Sequence, residues 1–166
     1  MLRARGVSAQ QIVDLALRRG LTLAAAESLT GGLVSDAIVA IPGASRVFRG
    51  GIVAYTIEAK ASLLGVPLDL IERSGVVSED VACAMARGAV RVCDASIAVA
   101  TTGAAGPEPH GGQKPGTVCV AVASATGVTS ATHLIQGGRE AVRVGATEQA
   151  LALCATALSE PDSILL

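Results

Sequence analysis

Ser28 sits where an apolar run gives way to two glycines, in Ala26-Glu27-Ser28-Leu29-Thr30-Gly31-Gly32. A buried strand ending there delivers a hydroxyl at its exit. Gly31 and Gly32 let a ligand approach the backbone where the next helix starts and N–H groups point outward. With Thr30, they suit either a nucleophile beside an oxyanion hole or a phosphate cradle, and the same pattern also serves as plain strand-to-helix punctuation. The second pattern is Tyr55-Thr56-Ile57-Glu58-Ala59-Lys60. Tyr55, the single tyrosine, closes a strand. Lys60 lies about a turn into a helix, with Ile57, Leu63 and Leu64 at i−3, i+3 and i+4, on or beside the face that packs inward. There it either snorkels to water or is held neutral by desolvation, and a neutral amine is a general base. Glu58 points elsewhere and reads as a solvated charge.

Residues 101–116 form a third region, Thr101-Thr102-Gly103-Ala104-Ala105-Gly106-Pro107 and onward to Lys114-Pro115-Gly116. A glycine- and proline-rich connection this long between two buried strands is typical of a lid or binding loop. Thr102 and the backbone at Gly103 and Gly106 are its candidates for binding polar ligand atoms. His110, in that stretch, reads as solvent-exposed, and His133 has no evident carboxylate partner, so a Ser–His–Asp triad lacks support. Arg139 and Arg143, four residues apart after Gly137-Gly138, share a helix face. They form either a phosphate clamp near a helix N-terminus or a surface pair bridged to Glu140 or Glu148. Arg46 and Arg49 precede the second strand and are further candidates for the pocket mouth.

The elements that must hold these residues alternate. Apolar periodicity predicts helices over 7–19, after a cap at Ser8, and over 33–41, 57–64, 67–74, 78–93 and 140–158. Short apolar or β-branched runs predict strands over 21–26, 51–55, 95–101, 117–125 and 128–135, the last two joined by a hairpin at Thr126-Gly127. The order implies an α/β fold: a three-layer α/β/α sandwich around a mixed, mostly parallel sheet with one antiparallel hairpin. Residues 1–166 read as a single domain, with 159–166 a frayed tail.

Composition narrows the function classes. In 166 residues, 51% are hydrophobic and 16% charged, which excludes a disordered polyelectrolyte. One Phe, one Tyr, no Trp and a net charge of −1 argue against a nucleic-acid surface, which wants stacking platforms and a basic face. No apolar run reaches the roughly 18–20 residues needed to span a bilayer, and polar residues interrupt the basic N-terminal stretch before it could serve as a signal peptide. Cys83, Cys93, Cys119 and Cys154 are scattered, without metal-ligand spacing, and read as reduced thiols of a cytoplasmic protein. No metal and no cofactor is expected.

Taken in order, these segments resemble the CinA C-terminal domain family, which includes stand-alone nicotinamide-nucleotide amidohydrolases. The resemblance runs from about residue 7 to 158. It rests on the Ala26–Gly32 and Tyr55–Lys60 segments together with Gly65-Val66, Gly75-Val76-Val77-Ser78, Thr102 through Pro107, Lys114 through Val118, and Gly137 through Arg143. It implies an amidase that hydrolyses nicotinamide mononucleotide to nicotinate mononucleotide and ammonia, a step of pyridine-nucleotide salvage. It further implies Ser28 as nucleophile, with Lys60 and Tyr55 assisting. On that reading Lys60 takes the serine proton directly or through Tyr55, and N–H groups near Thr30 to Gly32 hold the oxyanion. Arg139, Arg143 or the glycine-rich turns hold the phosphate. The partner is a small nucleotide substrate, and the family implies a homo-oligomer. Relatives usually carry Asn where this chain has Ile57, Asp where it has Gly138, and often Cys at Leu29. A non-catalytic nucleotide- or partner-binding module of the same fold is the alternative.

Overall fold

The computed structural model describes residues 7–125 and 127–160. In chain order these form α1 (Val7–Arg19), β1 (Leu23–Glu27), α2 (Leu33–Val39), β2 (Phe48–Val53), α3 (Ile57–Leu64), α4 (Leu68–Ser74), α5 (Glu79–Cys93), β3 (Ile97–Gly103), β4 (Thr117–Ser124), β5 (Val128–Leu134) and α6 (Arg139–Ser159). A single 3-10 turn, Ala44–Arg46, precedes β2. Ser8 lies within α1 rather than ahead of it. Thr126 of the expected hairpin turn, and residues 161–166 of the expected tail, lie outside the described residues, whereas Ser159 still belongs to α6.

The strands pair in the order β2-β1-β3-β4-β5. β1 runs parallel to both β2 and β3, whereas β4 is antiparallel to β3 and to β5. The α/β sandwich is therefore as expected, but the sheet is less parallel than expected: its pairings divide equally. The reason lies in the β3–β4 connection. A parallel neighbour needs a crossover, usually a helix, and residues 104–116 contain none, so β4 returns alongside β3.

Helices cover both faces. α1, α2 and α6 pack on one side, and α3, α4 and α5 on the other. Alternation along the strands divides the side chains by type. Leu23, Ala25, Ile97, Val99, Val118, Val120 and Val122 face the first layer. Ala24, Ala26, Ala98, Ala100, Ala121 and Ala123 face the second, where they meet Ala82, Met85, Ala86 and Ala89 of α5. The alanine face lets α5 lie close to the sheet, so a tight core forms with almost no aromatic volume. Among the described residues no helix is long and apolar enough to cross a membrane.

Candidate active site

In open α/β sheets ligands collect beyond the carboxyl ends of the strands. Here β1 ends in Glu27 and hands over to Ser28. β2 leads to Ala54 and Tyr55, and β3 ends at Gly103. Beyond these ends opens a cavity of about 330 Å3, lined by Ser28, Leu29, Tyr55, Gly103, Ala105, Gly106, Pro107, Glu108, Pro109, His110 and Arg139. Its size is near the lower end of small-molecule sites, which run from about 300 to 1,000 Å3.

Lys60 reaches Ser28 from behind the cavity wall. Thr56 caps α3 by accepting from the Ala59 N–H, which sets the helix so that Lys60 faces inward. The side chain is 1% exposed. Its Nζ donates to Ser28 Oγ and to the carbonyl of Ala54, each at 3.0 Å. Burial lowers the ammonium pKa from 10.5 to about 8. Of the two readings open at the sequence level, snorkelling is thus not what this lysine does. An amine that sheds its proton near neutrality, within hydrogen-bond reach of a hydroxyl, is the geometry a general base requires.

Glu27 is a residue that the sequence reading passed over. It is fully buried, and its carboxylate accepts five hydrogen bonds. These come from the Thr30 hydroxyl, the N–H groups of Gly32, Val34 and Ser35, and the Ser35 hydroxyl. The start of α2 is therefore occupied by the protein's own anion, and the phosphate-cradle reading of this turn has no free helix end to use. The signal was available in the sequence: a carboxylate closing an otherwise apolar strand must find donors, and the nearest are those of the following helix. Gly51 of β2 contributes from the side, because a Cβ there would run into Ser35 Oγ.

Several predicted residues occupy places other than those expected. The Gly31 N–H bonds Ser28 O at 3.1 Å and the Gly32 N–H bonds Glu27, so neither is free to meet an oxyanion. Thr30 is fully buried, with its hydroxyl on Glu27 and Thr101. Thr102 turns away from the cavity and donates to Val76 O. Arg143 is half-buried, and its guanidinium bonds the carbonyls of Leu29 and Thr30 rather than facing the cavity. Arg139 does line the cavity, bonding Tyr55 Oη at 2.7 Å and Gly106 O at 2.9 Å. Tyr55 thus shares the cavity with Ser28, but its hydroxyl engages Arg139 and not the lysine. His110 is exposed, as expected, yet stands on the cavity wall. Arg46 and Arg49 lie at the entry of β2, the opposite end of the sheet, and line no part of the cavity. Among the described residues no group of three or more His, Cys, Asp and Glu is poised to hold a metal ion.

Two of the three departures from the usual pattern, Ile57 and Gly138, also acquire places. Gly138 is the N-cap of α6, where no side chain caps the helix. Glycine in place of aspartate at such a cap costs only a few tenths of a kcal/mol. Ile57 is the first residue of α3, whose cap Thr56 already supplies. Neither position contacts Ser28 or Lys60 through a side-chain hydrogen bond.

Fold and site together define an α/β protein with a serine–lysine pair at the carboxyl edge of its sheet. The CinA C-terminal domain family matches residues 7–158, and the chain belongs to that family. It is 44% identical over 137 residues to a CinA-like protein of Fervidobacterium nodosum, covering 82% of this chain and 34% of that one. A CinA-like protein of Geobacter sulfurreducens is 46% identical over 133 residues, covering 80% and 32%. The chain thus spans about a third of the length of these curated relatives. Among solved structures, the competence damage-inducible protein A of Klebsiella pneumoniae superposes with a TM-score of 0.89 at 29% identity, covering 93% of this chain and 97% of that one. The competence/damage inducible protein CihA of Agrobacterium tumefaciens gives 0.86 at 34%, covering 92% and 94%.

Proposed function

We propose that this chain is an amidohydrolase acting on the carboxamide of nicotinamide mononucleotide. The observation that carries the reading is the 3.0 Å contact between Lys60 Nζ and Ser28 Oγ, made by a buried lysine that has no carboxylate partner among the described residues. Neutral Lys60 accepts the hydroxyl proton as Ser28 Oγ attacks the carboxamide carbon. The tetrahedral oxyanion is met by the N–H of Leu29, which borders the cavity and has no acceptor among the described residues. The N–H of the residue after a nucleophilic serine serves this purpose in other hydrolases as well. The Lys60 ammonium then protonates the departing nitrogen, which leaves as ammonia. Water attacks the resulting ester, gives its proton to Lys60, and the Ser28 hydroxyl is restored as nicotinate mononucleotide leaves.

Arg139, held by Tyr55 at the cavity wall, is the cation left to receive the substrate phosphate, so remote binding energy orients the amide. Tyr55 on this reading positions Arg139 and does not relay the serine proton. Four free thiols are consistent with a reducing cytoplasm, and exposed Leu63 and Leu68 give a homo-oligomer apolar surface to use.

Ammonia release from nicotinamide mononucleotide, measured for the wild type, Ser28→Ala and Lys60→Ala, tests the reading. Turnover by the wild type is expected, with a loss of roughly 10^4-fold or more in Ser28→Ala. Wild-type binding of the nucleotide without ammonia would favour the non-catalytic binding module.

A further inference from the structure

We infer that Glu108 is a specificity-determining residue whose carboxylate meets a positive charge on the substrate ring, so that the site takes an N-glycosylated pyridinium carboxamide in preference to a neutral one. The inference rests on the amidase reading and deepens it by naming the substrate class. Joining ribose to the ring nitrogen of nicotinamide leaves that nitrogen positively charged. It lies between the carboxamide and the ribose phosphate. With the carboxamide at Ser28 and the phosphate at Arg139, the charge falls inside the cavity, whose volume is only about 330 Å3. Among the described lining residues Glu108 alone carries a carboxylate, and Arg139 alone a guanidinium. The two are not paired with each other. Arg139 bonds Tyr55 Oη and Gly106 O, and the Glu108 side chain has no hydrogen bond or ion pair among the described residues. Opposite charges on one small cavity, each left free of the other, suit a ligand that carries both.

The second support is the backbone that carries the carboxylate. Pro107 and Pro109 flank Glu108. Each proline ring fixes its own φ, and the residue before a proline is confined to extended backbone. On the upstream side, the Gly106 carbonyl accepts from Arg139 Nη1 at 2.9 Å. On the downstream side, His110 and Gln113 exchange two backbone hydrogen bonds of 3.0 Å each. Gly111, within that turn, lies so close to Val76 that a Cβ there would stand 2.6 Å from its Cγ1. The loop is thus tied to the start of α6 at one end and to the Val76-Val77 segment at the other. Glu108 stands between these ties on a wall already in place, which lowers the ordering cost of binding. A neutral amide of the same shape gains nothing from this carboxylate, so Glu108 selects by charge. Because Glu108 is exposed, the attraction is screened by solvent and modest.

The test compares nicotinamide mononucleotide with its reduced form, which keeps the carboxamide, ribose and phosphate but has an uncharged dihydropyridine ring. Binding of each is measured by calorimetry in the Ser28→Ala variant, so that neither is consumed, and again after adding Glu108→Gln or Glu108→Asp. Circular dichroism and thermal melting check that each variant folds. The parent should bind the oxidised nucleotide about 3- to 10-fold more tightly than the reduced one, and the preference should shrink at high salt. Glu108→Gln should weaken the oxidised nucleotide by that same factor and leave the reduced one unchanged, whereas Glu108→Asp should keep part of the preference. Equal weakening of both nucleotides would make Glu108 a contact to ribose or a support of the loop, and would overturn the inference. So would a preference that survives Glu108→Gln, the lack of any preference in the parent, or no measurable binding of either nucleotide. Ammonia release by the wild type is read separately. If the wild type releases none while the charge preference still disappears with Glu108, the amidase reading fails and the cation subsite stands.

Discussion

A lysine that is almost wholly buried, and whose partners among the described residues are a hydroxyl and a carbonyl, pays for its desolvation whenever it carries a proton. Its pKa is lowered to about 8 from 10.5. Between those values the unfolded chain holds a proton that the folded chain has released, so stability rises with pH across that window and levels off beyond it. Lys60→Met keeps the apolar stem and removes the titration. Its urea-unfolding free energy should lack that rise, a difference on the order of 2–3 kcal/mol over the window. Lys60 was legible in the sequence from its inward spacing. The partner of Tyr55 was not, since it depends on how closely the start of α6 approaches the segment that follows β2.

At the scale of elements, the dyad depends on how α3 lies against α5. Lys60 and Leu64 sit one turn apart on α3, and Gly88 of α5 faces the end of that helix. A Cβ on Gly88 would run into the carbonyl and side chain of Leu64. Arg91, one turn further along α5, bonds the same Leu64 carbonyl at 2.9 Å. Gly88→Ala should therefore destabilise by about 1–3 kcal/mol, outweighing the roughly 1 kcal/mol that alanine gains in helix propensity. Thermal melting checks the first effect. Activity should fall in the same variant, because α3 cannot retreat from Gly88 without drawing Lys60 from Ser28. Every helix of the alternating pattern was legible from apolar periodicity, with ends shifted by a residue or two. The phosphate cradle at α2 was not excluded by the glycine pattern, which is the same whether the helix start is open or, as here, closed by the Glu27 carboxylate. β2 begins at Phe48, three residues before its expected start, since β pairing with Leu23 extends a strand that looks too polar and glycine-rich at Arg49 and Gly50.

At the scale of the whole molecule, the two sheet faces divide the labour. The Val- and Leu-rich face packs against α1, α2 and α6, and the alanine face holds α5 close enough to bring α3 and its lysine to the strand ends. Ala100, fully buried on that second face, pairs with Ala26 and Ala121 just before the strands reach the site. Ala100→Leu should cost about 1–3 kcal/mol by forcing α5 outward, seen as a lower midpoint in urea. The α/β class was legible from the alternation of element types. The equal division of parallel and antiparallel pairings was not, because the direction of β4 depends on a loop that the sequence marked only as long. The central claim is that Ser28 is activated by a neutral Lys60. The pH dependence of kcat/KM for ammonia release from nicotinamide mononucleotide tests it most directly. The account predicts a rise governed by an apparent pKa near 8, the value set by burial of Lys60. A profile that stays flat through that pH would contradict it.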